Sequence, residues 1–295
     1  MYVDENMKVT QGSTANVRAI GTMCAGVFCL VTNDAIGKIL VERFDPFQIL
    51  LARSIVALPF VALLVYRNYG VSGFQSKRLG VHVLRAVLAV SATYLFIKSF
   101  SSLSLAEATT YIFTAPIFIA VLSVPLLRQR VRMANLIVIC AGFGGVLMVL
   151  QPGTDSLRQG SLLAISAALL TALTMISARW IDPGDRFWTT TFFMTLLSGV
   201  ICAFSFATDW PTIDLPNLGL IASMAAAGTL GIALITEAFR VGDAAAVAPF
   251  DYTALIWATL FGWLFWGTVP GVSVYLGAAI IAASSLYIIL NDAKA

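Results

Sequence analysis

The side chains best placed to do chemistry are a few ionisable groups set inside apolar runs: Asp34, Arg53, Glu107, Glu237 and Asp251. Asp251 is the sharpest case. It stands two residues after Pro249 in VAPFDYTALIWA, near the start of a long apolar stretch. In lipid, a charge there is unfavourable by about 2.5 to 3.5 kcal/mol, so such a residue faces a cavity or a polar partner. A carboxylate in that setting can carry a proton or meet a substrate. Its structural alternative is a hydrogen bond to a neighbouring helix that fixes packing. Pro249 withdraws a backbone donor and leaves carbonyls free to line a polar space.

Asn33 and Asp34 come late in one apolar run and Arg53 early in the next. At a rise of about 1.5 Å per residue, Asp34 and Arg53 each lie roughly 10 Å from the same membrane face. Matched depth predicts an Asp34–Arg53 ion pair, because an unpaired ion there is costly. The pair reads as a structural pin, as an outer gate that breaks on opening, or, through Arg53, as an anchor for a substrate carboxylate. Glu107 and Glu237 fall near run ends, where water or headgroups can solvate them. Glu237 is a secondary proton candidate, since Asp251 is expected nearby.

Aromatic rings form the other candidate group: Tyr94, Tyr111, Phe113, Trp180, Tyr252 and Trp257, with Phe250 beside them. Ring faces bind planar solutes and cations. Packing in the core or against lipid is the commoner role of such residues. Metal and catalytic chemistry find little footing here. Cys24, Cys29, Cys140 and Cys202 are scattered through apolar runs as packing residues, His82 is the single histidine, and no cofactor is expected.

These groups must be positioned by membrane helices. Of 295 residues 59% are hydrophobic and 11% charged, against about 25% charged in ordinary soluble domains. Ten runs approach the length of about 20 residues that crosses a bilayer. They cover 18–40, 46–66, 80–101, 105–127, 131–150, 160–180, 187–207, 217–239, 244–267 and 272–290. The polar leading segment, with Asp4 and Glu5, has no cleavage site after a short apolar core, so the first span is expected to stay. With the N-terminus inside, thirteen Lys and Arg fall in cytoplasmic segments and four outside. That bias predicts both termini in the cytoplasm and explains the net charge of +3 without nucleic acid. Trp188, Trp210, Trp263 and Trp266 sit near run ends, as interfacial indoles do.

The runs also repeat. FSSLSLAEATTYIFTAPIF from Phe100 aligns with FRVGDAAAVAPFDYTALIW from Phe239, so that Thr114 faces Thr253, Ala115 faces Ala254, and Tyr111 and Phe113 face Phe250 and Tyr252. Five runs per half is an odd number, which turns the second copy upside down. The expected architecture is an all-α integral membrane domain over 1–295, with inverted five-helix repeats at 18–150 and 160–290 around a central cavity. The segment QPGTDSLRQG at 151–160 has the Pro, Gly and Asp of a joint. Gly37-Lys38-Ile39 lacks the remaining residues of a phosphate loop, so direct ATP drive is not expected. The runs GFGGV near Gly142 and AAAGTLG near Gly228 suit close helix contact.

Arg53 in the second run, TAPIFIAVLSVPLLRQR in the fourth, GFGGVLMVL in the fifth and APFDYTALIWATLFGWLFWG in the ninth resemble the EamA group of the drug/metabolite transporter superfamily. Where members typically carry Gly-Glu at the ends of the fourth and ninth spans, this chain has Arg128-Gln129 and Gly267-Thr268. The resemblance implies a bundle opening alternately to either side of an inner membrane, and efflux of amino acids or related metabolites. Uptake of a vitamin or cofactor-like compound is the alternative. A membrane enzyme or receptor is the rival class, set aside because carboxylates are dispersed and a repeat is present. Transport is either proton-coupled through Asp251 or driven by the solute's own gradient. The partners expected are a small-molecule metabolite, the lipid bilayer and, for the coupled case, protons; a homodimer is compatible with the pattern.

Overall fold

A computed structural model describes residues 2–127, 133–150, 159–204, 210–241 and 247–292; Arg128-Gln129 and the joint at 151–158 lie outside the described residues. Every regular element among them is helical. The first half holds α1 (Tyr2–Leu40), α2 (Pro46–Tyr69), α3 (Leu79–Ser99), α4 (Leu105–Ile112), α5 (Ala115–Leu127) and α6 (Met133–Leu150). The second holds α7 (Gln159–Ser177), α8 (Phe187–Phe204), α9 (Leu215–Val241), a 3-10 helix (Ala248–Thr253), α10 (Ala254–Trp266) and α11 (Val272–Asp292). Six segments are long and apolar enough to cross a membrane: Val17–Leu40, Pro46–Phe74, Leu79–Ser99, Gln159–Trp180, Phe187–Phe204 and Leu215–Val241. Large apolar side chains such as Phe60, Leu63, Leu230, Ile256 and Leu264 are exposed on the outside of the bundle, a surface that water would not tolerate at this extent but lipid does.

Local chemistry sets the helix ends. Asp45 caps α2 by accepting from the Phe47 amide at 2.8 Å, with Pro46 in the first turn where its missing donor costs nothing. Ser104 and Glu107 form a reciprocal capping box at the start of α4. Glu107 therefore has a defined structural role beyond solvation. At the end of α10, Gly267 takes φ 62°, a left-handed conformation open to glycine at little cost.

The run expected to be continuous over 105–127 is broken. Pro116 has no amide to give and disfavours helix in the residue before it, and the chain tightens there, with Thr114 N donating to Tyr111 O at 3.0 Å. The ninth run is broken too, by the 3-10 helix that holds Pro249 near its start. The two breaks end alike. Helix resumes at Ala115 in one and Ala254 in the other, the positions aligned by sequence. In each, the preceding threonine returns its hydroxyl to the carbonyl three residues back, Thr114 to Tyr111 and Thr253 to Phe250, both at 2.7 Å. The rings of Phe113 and Tyr252 meet across the gap, centroids 4.8 Å apart.

Packing joins the halves throughout. α1 lies along α9, α3 along α7, α2 along α8 and α6 along α11, while α4 meets α10. Two seams rely on reciprocal glycines. A Cβ on Gly26 would stand 3.0 Å from Gly231 O, and one on Gly231 would stand 2.9 Å from Gly26 O. Gly145 and Gly277 approach each other the same way, at 2.9 Å and 2.7 Å. Close backbone approach of this kind is how helices pack where lipid removes the hydrophobic drive.

Candidate functional site: a cation-floored cavity

Between α2, α3, α8 and α9 lies a cavity of about 730 Å³. It runs from the α7–α8 corner, where Asp182 and Asp185 stand, inward to Arg53. Ser54 and Ala57 follow on α2, and Arg85, Ala89 and Thr93 form a one-face series on α3. α8 presents Trp188, Thr191, Thr195 and Ser198, and α9 adds Thr229. The spacing of 191, 195 and 198 puts three hydroxyls on one helical face. Thr191 and Thr195 give their protons to Phe187 O and Thr191 O at 2.9 Å each, which leaves their oxygens facing outward as acceptors.

Arg53 is held at the inner end by a gap in α9. A Cβ on Gly228 would be 2.6 Å from Arg53 Nη2 and 2.8 Å from Asn33 Oδ1, so only glycine leaves room for both. The expected direct Asp34–Arg53 ion pair is not formed. Asn33 intervenes: its Nδ2 donates to Asp34 Oδ1 at 2.9 Å, and its buried Oδ1 has no partner among the described residues. Side chains one residue apart on a helix diverge by about 100°, so Asn33 takes the position towards α9 and Asp34 acts on Arg53 only through space. Among the described residues the Arg53 guanidinium has neither a hydrogen bond nor an ion pair.

The remaining candidates lie outside the cavity wall in this conformation. Tyr111 is buried, its hydroxyl 3.4 Å from Ser161 Oγ. Phe113 and Tyr252 face each other at the breaks. Tyr94 stacks on Phe47 at 4.4 Å and accepts from Lys98. Trp257 meets Phe28 edge-on at 5.0 Å, and Trp180 is at the corner, its carbonyl taking Arg78. Asp251 is half-buried within the 3-10 helix; Pro249 lies in the same helix, and its side chain is outside the described residues. Glu237 is bound on the exposed side of α9 by Arg240, with both contacts at 2.6 Å. Aromatic composition alone carries no phase information, so it does not separate these packed rings from a wall, and the wall's polar face is instead the hydroxyl series of α8.

Two latches went unforeseen. At the cavity mouth, Asp185 accepts from Ser76 Oγ at 2.7 Å and contacts buried His82 Nε2 at 2.9 Å, while Arg85 donates to Thr174 O at 2.7 Å. At the opposite end, buried Lys38 donates to Phe100 O at 3.1 Å and Leu103 O at 2.6 Å. Its ammonium also lies 5.8 Å and 5.3 Å from the Phe100 and Trp266 ring centres. Trp266 Nε1 reaches Glu42 nearby, and Gln48 holds Pro211 O at 2.6 Å. Among the described residues no group of three His, Cys, Asp or Glu could hold a metal ion.

The profile of the EamA-like transporter family matches this chain twice, over 17–151 and 158–290. The chain belongs to that family. It is 28% identical over 280 residues to the S-adenosylmethionine uptake transporter of Rickettsia bellii, covering 94% of each chain. The riboflavin transporter of Rhizobium johnstonii is 29% identical over 243 residues, 81% of this chain and 78% of that one. A solved crystal structure superposes with a TM-score of 0.57 at 18% identity, over 95% of this chain and 98% of that one, and shares the fold. The EamA chain is thus a multi-pass membrane protein of a small-metabolite transporter family. The Rickettsia relative is named for uptake, and the efflux implied by the first resemblance gains no support from either relative's name.

Proposed function

We propose that this EamA transporter takes up a small cofactor- or vitamin-like metabolite across the inner membrane by alternating access. The single observation that carries this reading is the 730 Å³ cavity, which reaches from the α7–α8 corner to Arg53 and is walled by α2 and α3 of one half and α8 and α9 of the other. The arrangement proposed is ten crossings in two inverted copies, 18–150 and 160–290, with both termini cytoplasmic. The paired breaks at Ala115 and Ala254 support it, as do two tandem family matches. Helix pairing supports it as well: exchanging the halves turns α1 on α9 into α7 on α3, and leaves α2 on α8 and α6 on α11 as they were. With that topology the cavity faces the cytoplasm, and the Lys38 latch closes the outer side.

Tyr111, Phe113, Tyr252 and Trp257 then form the packed barrier that becomes wall when the outer side opens. Asp251, next to Tyr252 at a break, is the proton carrier if the gradient drives uptake; protons and a dimer are features of the reading, to be measured. The deciding experiment is counterflow in proteoliposomes with labelled S-adenosylmethionine and riboflavin. Exchange of either compound above protein-free vesicles is expected. Exchange of neither, nor of a pooled metabolite extract, sinks the transport reading. Asp251→Asn is expected to keep exchange and lose accumulation driven by a pH gradient; full accumulation by the variant refutes the carrier role.

A further inference from the structure

Resting on the transporter reading, we infer that the substrate is an elongated carboxylate-bearing metabolite, whose carboxylate docks on Arg53 and whose planar end reaches Trp188. The charge pattern of the cavity comes first. Its inner end carries the Arg53 guanidinium, Arg85 stands nearer the mouth beside Thr174, and its two carboxylates, Asp182 and Asp185, stand at the mouth itself. Arg85 is partly committed to Thr174 O, and Asp185 to Ser76 and His82. Among the described residues of the wall, Arg53 is the cation with neither a hydrogen bond nor an ion pair. Asp34, its neighbour through Asn33, is absent from the wall and has Oδ1 engaged. A guanidinium fork in the cavity wall suits a carboxylate, which it can meet with two parallel hydrogen bonds.

Length follows from helix geometry. A Cβ on Gly199 of α8 would touch Ser54 Cβ at 3.1 Å, so Gly199 is level with Arg53. Trp188 lies eleven residues earlier on that helix, roughly 16 Å away at about 1.5 Å per residue. Between them, Thr191 and Thr195 offer acceptor oxygens, which suit hydroxyl or amino donors along the middle of the ligand. A carboxylate at one end, donors midway and a ring at the other describe an amino-acid–nucleoside conjugate better than an uncharged flavin.

The test compares labelled S-adenosylmethionine, its decarboxylated analogue and riboflavin in proteoliposomes holding the full chain. Wild type is expected to exchange the carboxylated compound about tenfold or more faster than the decarboxylated one, the size of one lost charge-assisted hydrogen bond. Arg53→Gln should collapse that ratio towards one, and Arg53→Lys should restore part of it. Gly228→Ala, which keeps the charge but pushes the guanidinium aside, should also shrink the ratio, and it guards against a fold lost with Arg53. Equal exchange of both nucleosides by wild type, or a ratio that survives Arg53→Gln, overturns the inference. Exchange of riboflavin alone overturns it while leaving the transporter reading standing. Exchange of none of the three, nor of a metabolite extract, overturns both.

Discussion

Replacing Lys38 with methionine isolates one latch. The ammonium holds two carbonyls at the α3–α4 corner, and each charge-assisted bond of this kind is worth about 1.5 to 3 kcal/mol when its partner is lost. Two effects reduce the total. A 440 Å³ pocket beside Lys38, Glu42 and Ser101 lets water reach the freed carbonyls, and releasing a buried lysine returns up to about 2 kcal/mol of side-chain entropy. A net loss of about 2 kcal/mol remains, roughly a 30-fold shift in the opening equilibrium of the corner. Hydrogen exchange reads that shift directly, because protected amides exchange through local opening. The reporters are Ser101, Ser102 and Leu103, whose amides bond to Lys98 O, Ser99 O and Ser99 O at 3.0 to 3.3 Å. In Lys38→Met they are expected to exchange roughly 30-fold faster, with α6 and α11 unchanged. Lys98→Met is the control, since Lys98 is exposed and, among the described residues, its ammonium meets only Tyr94. Exchange at the corner within about threefold of wild type would refute the latch, because a gap that small is under 1 kcal/mol.

Three further outcomes are expected. His82→Asn removes the contact to Asp185 from a fully buried site and should lower stability by about 1 to 3 kcal/mol, read as a lower unfolding temperature in detergent; an unchanged temperature would mean the contact is idle. Gly277→Ala drives a Cβ to 2.7 Å from Gly145 O and should cost about 1 to 3 kcal/mol. Gly144→Ala meets nothing within 4 Å and should be neutral or slightly stabilising, so equal effects of the two would contradict the seam. Asn33→Leu removes a side chain whose buried Oδ1 has no partner among the described residues; folding should survive, while exchange of the carboxylated probe should fall because Arg53 loses its polar neighbour.

What was legible in the sequence tracks what hydropathy and spacing encode. Each of the ten runs contains a helix, because in lipid the backbone has no other way to satisfy its hydrogen bonds. The alignment of Ala115 with Ala254 came from residue identity alone and marks the place where both helices resume. Side-chain direction was the harder problem. Asp34 and Arg53 were matched by depth, which ignores rotation about the helix axis, and Asn33 took the facing position instead. The 191, 195, 198 spacing was present to be read, yet a threonine hydroxyl that bonds its own helix leaves hydropathy nearly unchanged. Lys38 and His82 escaped for another reason. Their partners are main-chain carbonyls and a loop carboxylate 62 to 103 residues away, and no local pattern announces them.

The placement of glycines and polar latches suggests how such a bundle moves. The α1–α9 and α6–α11 seams are backbone against backbone with interlocked glycines, contacts too short-ranged to stretch without being lost altogether. The latches are single hydrogen-bonded side chains at opposite ends, Lys38 at one and His82 with Asp185 at the other. Each is worth a few kcal/mol, the size of free energy that a bound ligand can supply or withdraw. On the proposed topology, α1 with α9 and α6 with α11 travel as rigid pairs, and opening the outer side means releasing Lys38 while the mouth around Asp185 narrows. An anion on Arg53 would then act by neutralising the cation in the wall, which lowers the desolvation cost of closing α2, α3, α8 and α9 around it. Arg53 thereby links occupancy to closure, and a variant without that charge should close with or without substrate.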